Sequence, residues 1–172
     1  KIGSLLRQFG KNDMVKMGIG YDIHPLKKGS HLVVGGTKIS GEFSSDGHSD
    51  GDALIHAIID AILGAANLGD IGQFFPSDEK KWKGMDSTHF LSTTIKRVLS
   101  VGYKLEHVDT VVILQKPEIR QFVSKIQSKL AHVLQTNKEN ISIKATTTDH
   151  LGFIGTSEGW GALAIASLSK LE

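Results

Sequence analysis

Gly20-Tyr21-Asp22-Ile23-His24, followed two dozen residues on by His48-Ser49-Asp50-Gly51-Asp52-Ala53-Leu54-Ile55-His56, decides how this chain is read. Side chains alternate across a strand, so an Asp and a His two positions apart point the same way. Met17 to His24 reads as such a strand, with Ile19, Tyr21 and Ile23 on one face and Gly18, Gly20, Asp22 and His24 on the other. His56 falls in the helix that follows, from where it can close a three-ligand site of mixed oxygen and nitrogen donors. Three protein ligands with one open position is the usual arrangement of a catalytic zinc, whereas a structural zinc is closed by four. The plainer reading is that D-x-H recurs by chance and that a histidine on an apolar helix is held by a structural hydrogen bond. Asp52 and Asp60, one turn either side of His56, are candidate acceptors for its free ring N–H. Otherwise Asp52 is simply the helix N-cap and Asp60 part of a solvated face.

Working outward, 172 residues suffice for one domain with a real core and are too few for two comfortable ones. Hydrophobic residues at 40% and charged residues at 22% are the composition of an ordinary globular domain. No apolar run reaches the roughly 18–20 residues needed to span a bilayer, which argues against a membrane role. The chain has no cysteine, so disulfides, a thiolate nucleophile and sulfur-ligated metal are excluded. Any metal must use His, Asp and Glu. A formal net charge of +2 without a clustered basic face gives no case for nucleic acid. Residues 1–16 stand apart, with Lys1, Arg7, Lys11 and Lys16 against Asp13. They read as a peripheral arm, a cloning remnant or a trimmed targeting sequence, and the domain as 17–172.

Along that domain, His31 to Val34 and Thr37 to Ile39 flank Gly35-Gly36, a two-residue hairpin signal. Glu42 to Asp52 reads as a loop. A helix capped by Asp50 or Asp52 should end among the glycines Gly64 to Gly69. Asp86 or Ser87 caps a second helix, with Phe90, Leu91, Ile95, Val98 and Leu99 inward and Gly102 as terminator. His107 to Gln115 is a buried strand. Pro117 can open a third helix at its first position, with a stripe from Ile119 through Ile126 and Leu130 to Leu134. Ile141 to Ala145 and Trp160 to Leu168 are the last strands. This order predicts an α/β domain of the α+β type: a mixed four-stranded sheet plus a β-hairpin, with helices mainly on one face.

Two further stretches carry chemistry. Thr146-Thr147-Thr148 at the end of a buried strand clusters hydroxyls and backbone N–H groups that suit phosphate oxygens, although Thr is also a common strand residue. Asp70-Ile71-Gly72-Gln73-Phe74-Phe75-Pro76-Ser77-Asp78 puts two adjacent aromatics in a polar loop. They fit a lid, a contact with another subunit, or an anchor for the loop itself.

Taken together these segments resemble the 2-C-methyl-D-erythritol 2,4-cyclodiphosphate synthase family of the non-mevalonate isoprenoid pathway. The resemblance runs from Met17 to the C-terminus. It rests on Gly20-Tyr21-Asp22-Ile23-His24, His48-Ser49-Asp50-Gly51-Asp52, His56 to Ala66, Leu68 to Gly72 and Phe75-Pro76. It continues through Lys83-Gly84-Met85-Asp86-Ser87, Lys144 to Thr148 and Leu151-Gly152-Phe153. It implies a homotrimer with active sites between subunits and a zinc ion held by Asp22, His24 and His56. A second divalent ion, Mg²⁺ or Mn²⁺, would sit mainly on substrate phosphates, as hard cations prefer. The implied substrate is linked through a cytidine diphosphate, and the products are a cyclic diphosphate and CMP. The phosphate nucleophile arrives with the substrate, so the protein's task is positioning and charge stabilisation.

The resemblance also assigns roles. His48 and Thr147 would stabilise the transition state, with His48 and Ser49 near the methylerythritol phosphate. Asp70, Ile71 and Gly72 would line the erythritol pocket, closed over by Phe75, Pro76, Ser77, Asp78 and Glu79. Leu114, Gln115, Lys116, Pro117, Glu118, Ile119 and Arg120 would hold the cytidine and its phosphates with Thr146, Thr147, Thr148 and Asp149. Phe153 would complete the substrate contacts. Two departures stand out: Glu118 replaces the family's usual Lys, leaving Lys116 or Arg120 to supply charge, and Gly155-Thr156-Ser157-Glu158 lacks an often-present Arg. The second argues against isoprenoid diphosphate binding in a central trimer cavity. A metal-dependent phosphohydrolase and a non-catalytic nucleotide-binding module are the competing readings. The setting implied is a bacterial cytoplasm, or alternatively a plastid or apicoplast stroma.

Overall fold

The computed structural model describes residues 15–171. Most of the segment read as an arm, residues 1–14, therefore lies outside the described residues, and Lys16 already opens the first strand.

β1 (Lys16–Lys28) pairs antiparallel with the whole of β7 (Gly159–Lys170), Asp22 opposite Ala162. β7 pairs antiparallel with β5 (Tyr103–Ile113), and β5 pairs parallel with β6 (Ile141–Thr146). These four long strands form the mixed sheet expected. A fifth, β4 (Phe43–Ser45), adds to the end of β1 and gives the order β4-β1-β7-β5-β6. The four-strand expectation is corrected here: Phe43-Ser44-Ser45 is too short and polar to alternate, and it becomes a strand only because Leu26–Lys28 offers a free edge. β2 (His31–Val34) and β3 (Thr37–Ser40) form the separate hairpin, with Gly35 and Gly36 at φ 57° and 69° as the tight two-residue turn requires.

α1 (Ala53–Ala66) lies directly on β1 and β7 and is buried along nearly its whole length. Two glycines set its height above the sheet. A Cβ on Gly20 would stand 1.9 Å from the Ala57 carbonyl oxygen, and one on Gly18 2.1 Å from that of Ala61. Gly18, Gly20, Asp22 and His24 therefore face the helix, as alternation predicts. α1 ends at Ala66, within the Gly64 to Gly69 stretch expected, and Asn67, at φ 57°, supplies the cap because Asn tolerates the left-handed conformation.

α3 (Ser87–Ser100), capped by Asp86, and α4 (Val123–Leu134) complete the helical layer on the same side of the sheet. Pro117 does not open α4. The Lys116–Pro117 bond is cis, Ile119 is buried in the core, and the turn Arg120–Phe122 intervenes before the helix begins at Val123. The opposite face of the sheet carries Met17, Ile19 and Tyr21 of β1, 68, 69 and 55% exposed, with Ile165 of β7 beside Ile19 at 43%. An apolar sheet face of this kind is uncommon on a free surface.

β1, β5 and β6 run the same way, and Ile23, Gly161, Ile113 and Thr146 lie in one row across the sheet. His24 and the threonines after Thr146 are thus at the same end of the fold. They are separated by three strand spacings, about 14 Å.

Candidate active site

Asp22 and His24 reach up from β1 while His56 reaches down from the first turn of α1, held close by the glycine–alanine contact. Their potential ligand atoms all lie within 4.8 Å of one another. Asp22 Oδ2 is 2.8 Å from His24 Nδ1 and 3.2 Å from His56 Nδ1, and the two imidazole centroids are 5.1 Å apart. Asp22 Oδ2 and His24 Nδ1 are buried, yet neither has an aligned hydrogen-bond partner among the described residues. Burial without a partner is costly for such atoms, and it is resolved when their lone pairs converge on a cation. The donor set, one carboxylate and two imidazoles without sulfur, suits a borderline divalent metal and leaves a position open. Burial works to raise the Asp22 carboxyl, but the two imidazoles outweigh it and hold it down at about 2. Burial likewise opposes charge on His56, and the Asp22 carboxylate beside it raises its pKa all the same.

The outer partner of His56 is neither Asp52 nor Asp60, which corrects both sequence assignments. Asp52 is fully buried and accepts from Ile55 N–H at 3.1 Å, as the N-cap of α1. It also accepts from Gly35 N–H at 3.0 Å and Gly36 N–H at 2.6 Å, tying the β2–β3 turn to the helix. Asp60 accepts from Ile71 N–H at 2.8 Å and so fixes the start of α2 (Ile71–Phe74). Both carboxylates were drawn away by backbone donors that periodicity within α1 does not reveal. His56 Nε2 instead meets Ser87 Oγ at 3.0 Å and Ser49 Oγ at 3.2 Å.

The set opens into a cleft of about 390 Å³ that also receives His48, Ser49, Ile71, Gly72, Phe75 and Ser77. His48 Nε2 donates to the Glu79 carbonyl at 3.3 Å, linking it to the loop after Phe75. Asp70 caps α2 by accepting from Gln73 N–H at 3.1 Å, and Asp70, Pro76, Asp78 and Glu79 lie outside the cleft lining. Trp82 and Phe90 form part of the wall, and the sequence marks neither as a site residue. Phe75 packs 4.5 Å from the Phe90 ring and edge-on to Trp82 at 5.4 Å, while Phe74 lies under the Arg97 guanidinium at 4.1 Å. The adjacent aromatics therefore anchor their loop on α3. Phe90 was read as an inward core residue of α3, and it is one; its second face at the cleft carries no signal in a one-dimensional pattern.

A second cleft, about 330 Å³, is lined by Leu114, Gln115, Pro117, Glu118, Ile119, Arg120, Thr146 and Thr147. Arg120 stands 3.8 Å from Glu118, and of the two candidate cations it is the one at this cleft; Lys116 is not part of the lining. Thr148, Asp149 and Phe153 also lie outside that lining, and the Thr147 hydroxyl donates to Asp149 at 3.3 Å. Within one chain, His48 and Thr147 thus belong to different clefts.

An Asp–His–His set lining a cleft on an α+β domain defines a class: a domain with a group that could hold a metal ion. The model of the YgbB family matches residues 15–169, and the chain belongs to that family. Among its relatives is the 2-C-methyl-D-erythritol 2,4-cyclodiphosphate synthase of Carboxydothermus hydrogenoformans, 45% identical over 158 residues, or 92% of this chain and 97% of that protein. Solved structures agree. The bifunctional IspDF from Campylobacter jejuni superposes with a TM-score of 0.89 at 37% identity, over 92% of this chain and 43% of that larger one. The CDP complex of Plasmodium falciparum IspF gives 0.82 at 32% identity, over 94% of this chain and all of that one.

Proposed function

We propose that this chain is a 2-C-methyl-D-erythritol 2,4-cyclodiphosphate synthase, converting 4-diphosphocytidyl-2-C-methyl-D-erythritol 2-phosphate to the 2,4-cyclodiphosphate and CMP. An oxygen of the 2-phosphate attacks the β-phosphorus, forming one P–O bond as the β-phosphorus–oxygen bond to CMP breaks. The observation that carries this reading is the orphaned pair Asp22 Oδ2 and His24 Nδ1, converging with His56 at the floor of a cleft.

Asp22, His24 and His56 would hold zinc, which when bound supplies Lewis-acid polarisation of a phosphate oxygen. Mg²⁺ or Mn²⁺ would be carried by the phosphates themselves. His48 and Ser49 orient the methylerythritol phosphate, and Ile71, Gly72 and Phe75 exclude water around the carbon skeleton. The polar turn after Thr146 and the Leu114–Arg120 segment receive the cytidine and its phosphates, in keeping with the CDP named in the Plasmodium complex. Thr147 donates to the charge that develops as the diphosphate link breaks.

These two half-sites belong to different copies in a homotrimer. The separation of the clefts and the open apolar face formed by Met17, Ile19, Tyr21 and Ile165 support this. The bacterial source of the 45% relative supports a cytoplasmic setting. The test is CMP release from purified protein with the cytidylyl substrate, with and without Mg²⁺, alongside product analysis. Metal-dependent CMP release with a cyclic diphosphate is expected. Inorganic phosphate in place of the cyclic product would establish hydrolysis instead, and full activity after chelation or in His56→Ala would end the metal-centred mechanism.

A further inference from the structure

We infer that Ser87 and Asp50 form a relay that fixes the tautomer of His56, making them positioning residues for the metal site. Ser87 is fully buried at the first turn of α3. Its hydroxyl donates to Asp50 Oδ1 at 2.5 Å, and its backbone N–H donates to Asp50 Oδ2 at 3.1 Å. A hydroxyl has one proton. With that proton committed to the carboxylate, the Ser87 oxygen presents a lone pair to His56 Nε2 at 3.0 Å. Nε2 must then carry the ring proton, and Nδ1 keeps its lone pair on the side of Asp22, 3.2 Å away. The Ser49 oxygen lies 3.2 Å from the same Nε2 and accepts from Gly51 N–H at 3.3 Å, but its own proton is not committed to an acceptor, so the direction at Nε2 is set by Ser87.

The relay also explains why His48-Ser49-Asp50 and Asp86-Ser87, nearly forty residues apart, meet at one place. Asp50 N–H donates to the Met85 carbonyl at 3.2 Å, and Gly84 N–H donates to that of His48 at 2.8 Å. The two loops are stitched by these backbone bonds next to the side-chain contact. A ligand histidine whose far nitrogen is held by an oriented acceptor has its ring angle and basicity set before the metal arrives, and losing such a partner commonly costs 10–100-fold in metal affinity.

This rests on the reading of Asp22, His24 and His56 as metal ligands, and the test separates the two. In ¹⁵N-resolved NMR of the unmodified chain with zinc bound, His56 is expected as the Nε2–H form with Nδ1 metal-bound. Zinc competition against a chromophoric chelator should show Ser87→Ala and Asp50→Asn binding at least tenfold more weakly than wild type. Ser87→Thr, which keeps the hydroxyl, should recover most of the affinity. Asp50→Asn is the sharper variant, because an amide can donate to Ser87, release its proton towards Nε2 and favour the Nδ1–H form that cannot ligate. Wild-type protein that takes up no zinc would overturn the metal reading and the relay together. Wild-type zinc binding matched within twofold by both variants, or a His56 proton on Nδ1, would overturn the relay alone.

Discussion

Gly20→Ala should damage the metal site without touching any ligand. The substitution is allowed by the backbone, because Gly20 does not adopt a positive φ, so the effect is purely one of space. The new Cβ would lie 1.9 Å from the Ala57 carbonyl oxygen and 2.7 Å from the Ala61 nitrogen. An unstrained C···O approach is about 3.3 Å. The helix must therefore retreat by about 1.4 Å, and both obstructing atoms are main chain, so no rotamer change relieves them. Overpacking of this kind costs about 1–3 kcal/mol. Ala57 immediately follows His56, so the retreat carries that imidazole away from Asp22 and His24. Metal–ligand distances tolerate only about 0.2 Å. Displacement of reacting groups by about 1 Å can cost a hundredfold in rate. Urea unfolding should show a loss of about 2–3 kcal/mol, zinc competition a drop of tenfold or more, and CMP release a fall in kcat/KM of about a hundredfold. Gly18→Ala is the control. Its Cβ would meet the Ala61 oxygen at 2.1 Å, further along α1, and should lower stability similarly with a smaller effect on zinc. A Gly20→Ala protein with wild-type stability and zinc affinity within twofold would refute the idea that this contact sets the ligand spacing.

The metal-free protein should be most stable near pH 4 and lose stability on either side. Asp22, held down at about 2, contributes stability above its ordinary 3.8 and loses it as pH falls through 2, on the order of 2 kcal/mol. Asp52, pushed up to about 6 by burial, favours the folded state most below 3.8 and loses that contribution as pH rises through 6. His56, raised above 6.5, loses its contribution as pH rises through that higher value. Thermal unfolding after chelation should trace this dome, zinc should lift its alkaline side, and a melting temperature flat from pH 5 to 8 would contradict the assignment. Asp52→Ala leaves the amides of Gly35, Gly36 and Ile55 without an acceptor and should cost about 2–4 kcal/mol in urea unfolding. Ile165→Asp on the open sheet face should leave secondary structure by circular dichroism intact while lowering the mass in sedimentation; unchanged mass would argue that this face is not the subunit contact.

The parts legible in the sequence were those governed by a short period. Alternation along Met17 to His24 sorted glycines and ligands onto one face, Gly35-Gly36 marked the hairpin turn, and Asp52 and Asp86 marked two helix starts. Asp22, His24 and His56 were found because strand and helix periods together aim them at one point. What stayed hidden depends on partners distant in the chain. β4 exists only as an edge addition, Ser87 reaches His56 across 31 positions, and Trp82 meets the cleft through its packing on Phe75 and Phe90. Asp52 and Asp60 show the opposite failure. Their helical spacing from His56 was right, but nearby amide groups took both carboxylates.

Asp52 has a wider consequence. Its one carboxylate closes the hairpin turn and the N-terminus of the helix that carries His56, although the hairpin adds no strand to the main sheet. The hairpin cannot peel away without stranding a buried charge at the start of that helix. Loosening at either place is therefore shared by both. Amide exchange at Gly35 and Gly36, remote from the metal ligands in sequence, becomes a gauge of how often the catalytic end of the molecule opens.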